Sequence, residues 1–184
     1  MSKTITLKNV RLSFPTIWTP KAFNEGQAAK FSCNFLLDKE TQEDQIKALQ
    51  AAIKEAALGA FNGKVPPGLK VCIGDGEEKA YEGYDGSVFV ACSTRQRPVI
   101  VDRDRTPLAE EDGRPQAGDF VNAAISLWVQ NNQWGKRVNA NLNAIQFVRE
   151  GERFGSGAVR ADSVFDDISS EQEEDALAES DFLS

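Results

Sequence analysis

Between residues 30 and 37 the chain alternates, with Phe31, Cys33, Phe35 and Leu37 on one side and Lys30, Ser32, Asn34 and Leu36 on the other. That period of two predicts a strand with one buried face. Val121, Ala123, Ile125, Leu127 and Val129 form a second apolar face, opposite Phe120, Asn122, Ala124, Ser126 and Trp128. A third runs through Val88, Val90 and Cys92, opposite Phe89, Ala91, Ser93 and, on a continued strand, Arg95 and Arg97. Val138, Ala140 and Leu142 alternate with Arg137, Asn139, Asn141 and Asn143, and the phase then slips to Ile145 and Phe147. A slip of this kind predicts a bulge near Asn143 or Ala144. Ile5 and Leu7 change phase in the same way to Val10 and Leu12.

One segment has the helical period instead. Ile46, Leu49, Ile53 and Ala57 mark an apolar stripe, with Thr41 as the expected cap, Asp44 three residues on, and an end near Leu58-Gly59. Pro66-Pro67-Gly68 then turns the chain into a short strand over Leu69–Ile73. Strand and helix do not alternate regularly, which excludes a doubly wound parallel sheet. Five or more strands with one inserted helix predict a mainly β protein built as a small OB-fold barrel, the small barrel that also offers an open face to nucleic acid.

The 184 residues, 41% apolar and 27% charged, suit one globular domain with some chain to spare. No apolar run reaches the ~18 residues of a membrane span. The start, Met1-Ser2-Lys3-Thr4-Ile5, lacks a signal-peptide core, so a cytoplasmic setting is expected. The absence of histidine removes His-based triads, His acid–base catalysis and His-containing metal sites. Cys33, Cys72 and Cys92 are too widely spaced for a zinc motif or a disulfide framework. No cofactor is implied. Gly74-Asp75-Gly76 lacks the lysine and helix of a phosphate loop.

The net charge of −7 conceals an asymmetry. Residues 162–184 hold nine acids and no base, and removing them from the total of 28 leaves 19 acids against 21 bases, a body near +2. The expected organisation is an OB-fold domain over residues 1–153 and a linker with a disordered acidic tail over 154–184. A solubilising terminus is the plainer reading of such a tail. Its tip, Asp181-Phe182-Leu183-Ser184, also has the charge and the aromatic anchor of a docking peptide.

Candidate chemistry lies opposite the apolar faces. Aromatics interleaved with Arg, Lys and Asn suit single-stranded nucleic acid, because bases stack on rings while cations follow phosphates. Trp134, on the polar loop between two strands, is the foremost ring, followed by Trp128, Trp18 (in a Pro15–Phe23 loop), Tyr81, Tyr84 and Phe89. Phosphate contacts are assigned to Lys21, Lys30, Arg95, Arg97, Arg103, Arg105, Lys136 and Arg137. The alternative for Trp128 and Phe89 is burial beneath a loop, a helix or a second subunit. Alternation through Val101–Arg105 places Asp102 and Asp104 on one face, with Glu110, Glu111, Asp112 and Asp119 nearby. This permits a metal-dependent nuclease as the enzymatic alternative, although a solvated loop rich in ion pairs is the commoner outcome. A third reading is an acidic adaptor or decoy that acts through its tail.

Thr6-Leu7-Lys8-Asn9-Val10-Arg11-Leu12-Ser13-Phe14, with Pro20-Lys21-Ala22-Phe23, resembles the opening of phage-encoded single-stranded DNA-binding proteins. The resemblance continues through Tyr81–Val90, Arg97-Pro98-Val99-Ile100-Val101-Asp102 and Val138–Arg149, covering most of residues 5–155. It implies a non-catalytic OB-fold that coats single-stranded DNA in phage replication or recombination, in a bacterial cytoplasm. The tail is similar in kind to those with which bacterial and phage single-strand binding proteins recruit replication and repair partners, which implies partner binding by Asp181, Phe182 and Leu183 here. In the bacterial proteins the phenylalanine is terminal, whereas here Leu183 and Ser184 follow Phe182. The tail is also suited to occupy the basic groove until DNA displaces it.

Overall fold

The computed structural model describes residues 3–22, 25–81, 83–133, 135–152 and 154. Phe23, Trp134 and the tail residues Asp181, Phe182 and Leu183 lie outside them. Among the described residues, eight strands and one α-helix form in the order β1 (Lys3–Lys21), β2 (Lys30–Asp38), α1 (Glu43–Ala60), β3 (Lys70–Val71), β4 (Ile73–Asp75), β5 (Ser87–Thr94), β6 (Val99–Val101), β7 (Phe120–Asn132) and β8 (Gly135–Arg149).

Five of these strands close on themselves. β1 pairs with β2, β2 with β5, β5 with β8, β8 with β7 and β7 with β1. Every junction is antiparallel except β5–β8, where Cys92 and Ser93 run parallel to Ala140 and Asn141. This is the Greek-key closure of an OB-fold barrel. The three short strands are additions: β3 and β6 pair with β8, and β4 with β5. The predicted strand over Leu69–Ile73 is thus split at Cys72, where the chain passes from β8 to β5.

The alternating apolar residues fill the barrel. Leu7, Val10, Leu12 and Ile17 of β1 meet Cys33, Phe35 and Leu37 of β2, Val90 and Cys92 of β5, Ile125 and Leu127 of β7, and Val138, Leu142 and Ile145 of β8. Both predicted phase slips are bulges. On β8 the register passes from Ala124↔Ala144 to Ile125↔Leu142, leaving Asn143 as the extra residue. On β1 it shifts between Leu7 and Val10, where Asn9 takes φ 55°. A bulge frees backbone groups from the ladder. Here the Asn9 N–H donates to Asn122 Oδ1 at 2.9 Å, and the Gln42 amide donates to the carbonyls of Lys8 and Asn9 at 3.1 and 2.8 Å.

Gln42 stands at the start of α1, and no side chain caps that end. The expected cap at Thr41 does not form, because Asp38 Oδ1 accepts from the Glu40 and Thr41 N–H groups in a tight turn before the helix. Ile46, Leu49, Ala52, Ile53 and Ala57 are buried as the helix packs on β7, β2 and β8. Phe154 packs on the barrel, where the Arg11 guanidinium lies 4.2 Å from its ring centroid.

Candidate nucleic-acid interface

With apolar side chains turned inward, the opposite faces of β2, β5, β8 and β7 carry Ser32, Asn34, Ala91, Ser93, Asn139 and Trp128. Small residues occupy the middle of this surface, as the pairs Ser32↔Ser93 and Asn34↔Ala91. The result is a groove of about 780 Å³ that reaches all five barrel strands. Cys33, Cys72 and Cys92 underlie its floor. All three are buried free thiols, and burial pushes each up, Cys72 to about 11.

The groove collects charge of one sign. Lys21 and Lys30, register partners at the two ends of the β1–β2 connection, line one side, and Arg137 of β8 lines another. No Asp or Glu occurs among the described lining residues. Trp128, 46% exposed and paired with Asn139, offers its ring at the β7 margin. An acid-free groove with a floor of small side chains and an open ring gives a nucleic-acid strand what it needs: phosphate neutralisation, close approach and a stacking surface.

The remaining predicted rings fall elsewhere. Tyr81 is 46% exposed and lies beside Phe14 at the β1 margin, ring centroids 4.9 Å apart. Tyr84, expected to stack on a base, is instead 1% exposed, and its hydroxyl joins Ser13 Oγ at 2.8 Å and Asn34 Nδ2 at 2.9 Å. Phe89 is half-buried. Its ring lies over Gly74, where a Cβ would come within 2.6 Å, and packs 6.1 Å from Tyr84. Trp18 packs against the core cluster, and its carbonyl accepts from Arg97 at 3.0 Å.

Among the predicted cations, Lys21, Lys30 and Arg137 come together and the others do not. β5 ends at Thr94, so Arg95 and Arg97 lie on the turn beyond it rather than on a continued strand. Lys136 turns toward the Phe61 ring, 5.6 Å from its centroid. Arg103 donates to the Val148 carbonyl, at the opposite end of β8 from Arg137, and Arg105 occupies the same turn.

That turn also removes the nuclease constellation. β6 stops at Val101, and residues 102–106 fold back on themselves, with the Arg105 N–H donating to the Asp102 carbonyl. Asp102 Oδ2 pairs with Arg114 at 2.6 Å, and the guanidinium holds this carboxyl below its usual range. Asp104 accepts from Thr106, which lowers its carboxyl too. Asp112 accepts from the Ala109 N–H, and Asp119 from the Gln116 and Gly151 N–H groups. No cluster of three potential metal ligands occurs among the described residues. Spacing alone could not show that these acids are spent on turns.

Sequence reasoning missed Phe14. Alternation from Val10 and Leu12 carries it inward, but a second bulge between Ser13 and Thr16 turns it out, 54% exposed at φ 46°. The available signal was Ile17, a core residue on the other parity.

Comparison with known proteins agrees with this geometry. The single-stranded DNA-binding protein of bacteriophage Enc34, solved in complex with ssDNA, superposes with a TM-score of 0.74 at 27% identity, covering 83% of this chain and 89% of that one. The gp2.5 single-stranded DNA-binding protein of bacteriophage T7 shares the fold, with a TM-score of 0.58 at 15% identity over 91% of this chain and 97% of its own. Protein p50 of Acyrthosiphon pisum secondary endosymbiont phage 1 is 36% identical over 183 residues, 95% of this chain and 98% of the relative. Residues 3–177 match the family described as Enterobacter phage Enc34, ssDNA-binding protein. The closed barrel, its five-strand groove and the extent of this match lead to one conclusion: the chain belongs to the Enc34 ssDNA-binding protein family.

Proposed function

We propose that the protein binds single-stranded DNA in the groove between the β1–β2 connection and the β7–β8 hairpin, and that it coats such DNA during phage replication or recombination. The observation that carries this reading is the convergence of Lys21, Lys30, Arg137 and Trp128 on one groove with no acid among its described lining residues, in a chain whose net charge is −7. Binding is largely independent of sequence. Rings accept any base, the cations address phosphates, and the Asn34 amide is engaged by Tyr84.

The acidic residues 162–184 have two roles in this reading, recruiting replication or recombination proteins and competing with DNA for the groove. Support for competition comes from charge. Residues 162–184 hold nine acids and no base, against a body near +2.

The test is a titration of labelled oligo-dT by the full chain and by Trp128→Ala. Stacking loss of roughly 1–3 kcal/mol predicts a five- to hundredfold weaker complex for the variant. Wild-type affinity in Trp128→Ala, with its fold intact, refutes the groove as the binding site.

A further inference from the structure

We infer that Phe14 and Tyr81 form a second base-stacking ledge at the β1 end of the groove, opposite Trp128. The inference rests on the proposed DNA-binding reading and extends it to a residue that alternation places in the core. Phe14 lines the groove, and its ring meets Tyr81 edge-on at 71°. Both rings are about half exposed. Tyr81 in turn rests on buried Tyr84, centroids 5.2 Å apart. The Tyr84 hydroxyl ties this support to Ser13 on β1 and to Asn34 on the groove floor. The ledge is thus braced from beneath and connected to the surface on which a strand would lie.

The backbone supplies an independent reason. Phe14 takes φ 46°, a region that bulky residues rarely adopt and that glycine enters freely. A stability-driven choice at this bulge would be Gly or Asn. An exposed aromatic kept in a costly conformation is the kind of strain found where a side chain has to be aimed at a ligand.

The span between the two ends fits one bound strand. From β7 to β1 across β8, β5 and β2 there are four inter-strand steps of about 4.8 Å, or about 19 Å along the surface. A stacked strand advances about 3.4 Å per nucleotide, so at most about six nucleotides join Trp128 to the ledge. This lies within the range of roughly 4–16 nucleotides known for single OB folds.

The test uses the full chain and labelled dT12, long enough to reach both ends. Phe14→Gly removes the ring and relaxes the backbone, so its thermal midpoint should equal or exceed that of the wild type while its affinity falls roughly five- to hundredfold. Tyr81→Ala should lose affinity in the same range, and Phe14→Tyr should keep it. If Phe14→Gly and Tyr81→Ala bind dT12 like the wild type while Trp128→Ala does not, the ledge is overturned and the groove stands. If the wild-type chain fails to bind dT12, the underlying reading falls and the ledge with it.

Discussion

Arg137→Ala should flatten the salt dependence of DNA binding, whereas Arg103→Ala and Arg105→Ala should leave it unchanged. All three arginines were equivalent candidates in the sequence, but only Arg137 lines the groove, and Arg103 reaches the far end of β8. Each neutralised phosphate on a single strand contributes about −0.7 to the slope of log affinity against log salt. Three groove cations therefore give a slope of about −2.1, equivalent to an affinity loss of about 18-fold between 50 and 200 mM salt. With Arg137 removed the slope becomes about −1.4 and the loss about sevenfold. Lys21→Ala and Lys30→Ala should behave like Arg137→Ala. Fluorescence anisotropy with labelled oligo-dT at four salt concentrations resolves this difference, and comparing variants cancels whatever the acidic tail adds to every slope. A flattening by Arg103→Ala or Arg105→Ala equal to that of Arg137→Ala would refute the placement of the DNA path.

Two further outcomes concern the surroundings of the groove. Tyr84→Phe strips the hydroxyl shared by Ser13, itself 2% exposed, and Asn34, and should cost roughly 1–3 kcal/mol of stability, read as a shift in the urea midpoint. An unchanged midpoint would mean the buried hydroxyl does not brace the ledge. For the thiols, burial raises the folded values of Cys33, Cys72 and Cys92 above the ordinary 9.0, with Cys72 at about 11. The folded state thus holds protons that an unfolded thiol releases. Its stability from this source is complete below pH 9 and declines as pH rises from there toward the folded values. Urea midpoints should fall between pH 8.5 and 10.5, and iodoacetamide should label the native thiols far more slowly than the unfolded ones. Equal labelling rates in the two states would contradict the burial.

Much of the barrel could be read from alternation alone. A side chain in a strand faces one side or the other, so a run such as Val121, Ala123, Ile125 and Leu127 announces its buried face. A break in parity, as at Asn143 and between Leu7 and Val10, announces a bulge. The motifs of the first strands and of Val138–Arg149 carried the family resemblance for the same reason, since they are local. Composition likewise excluded histidine chemistry before any fold was known.

What alternation gives is a face, and what a site needs is a neighbourhood. Lys21, Lys30 and Arg137 are more than 100 residues apart at the extremes and meet only because β5 and β8 close the barrel in parallel. Tyr84 and Phe89 occupy loop and outward positions in the sequence, yet Tyr84 is buried with its hydroxyl on Ser13 and Asn34, and β4 lies against Phe89, with Gly74 making room for its ring. Phe14 is turned outward by one extra residue at Ser13–Thr16, against the parity of Val10 and Leu12. Asp102 and Asp104 resemble metal ligands until the turn after β6 gives them Arg114 and Thr106 as partners. The sequence determined which side of each strand meets water, because that choice is local and has a period of two. Only the tertiary structure decided which of those wet side chains share a groove, because that depends on strand order, closure and what folds over the surface.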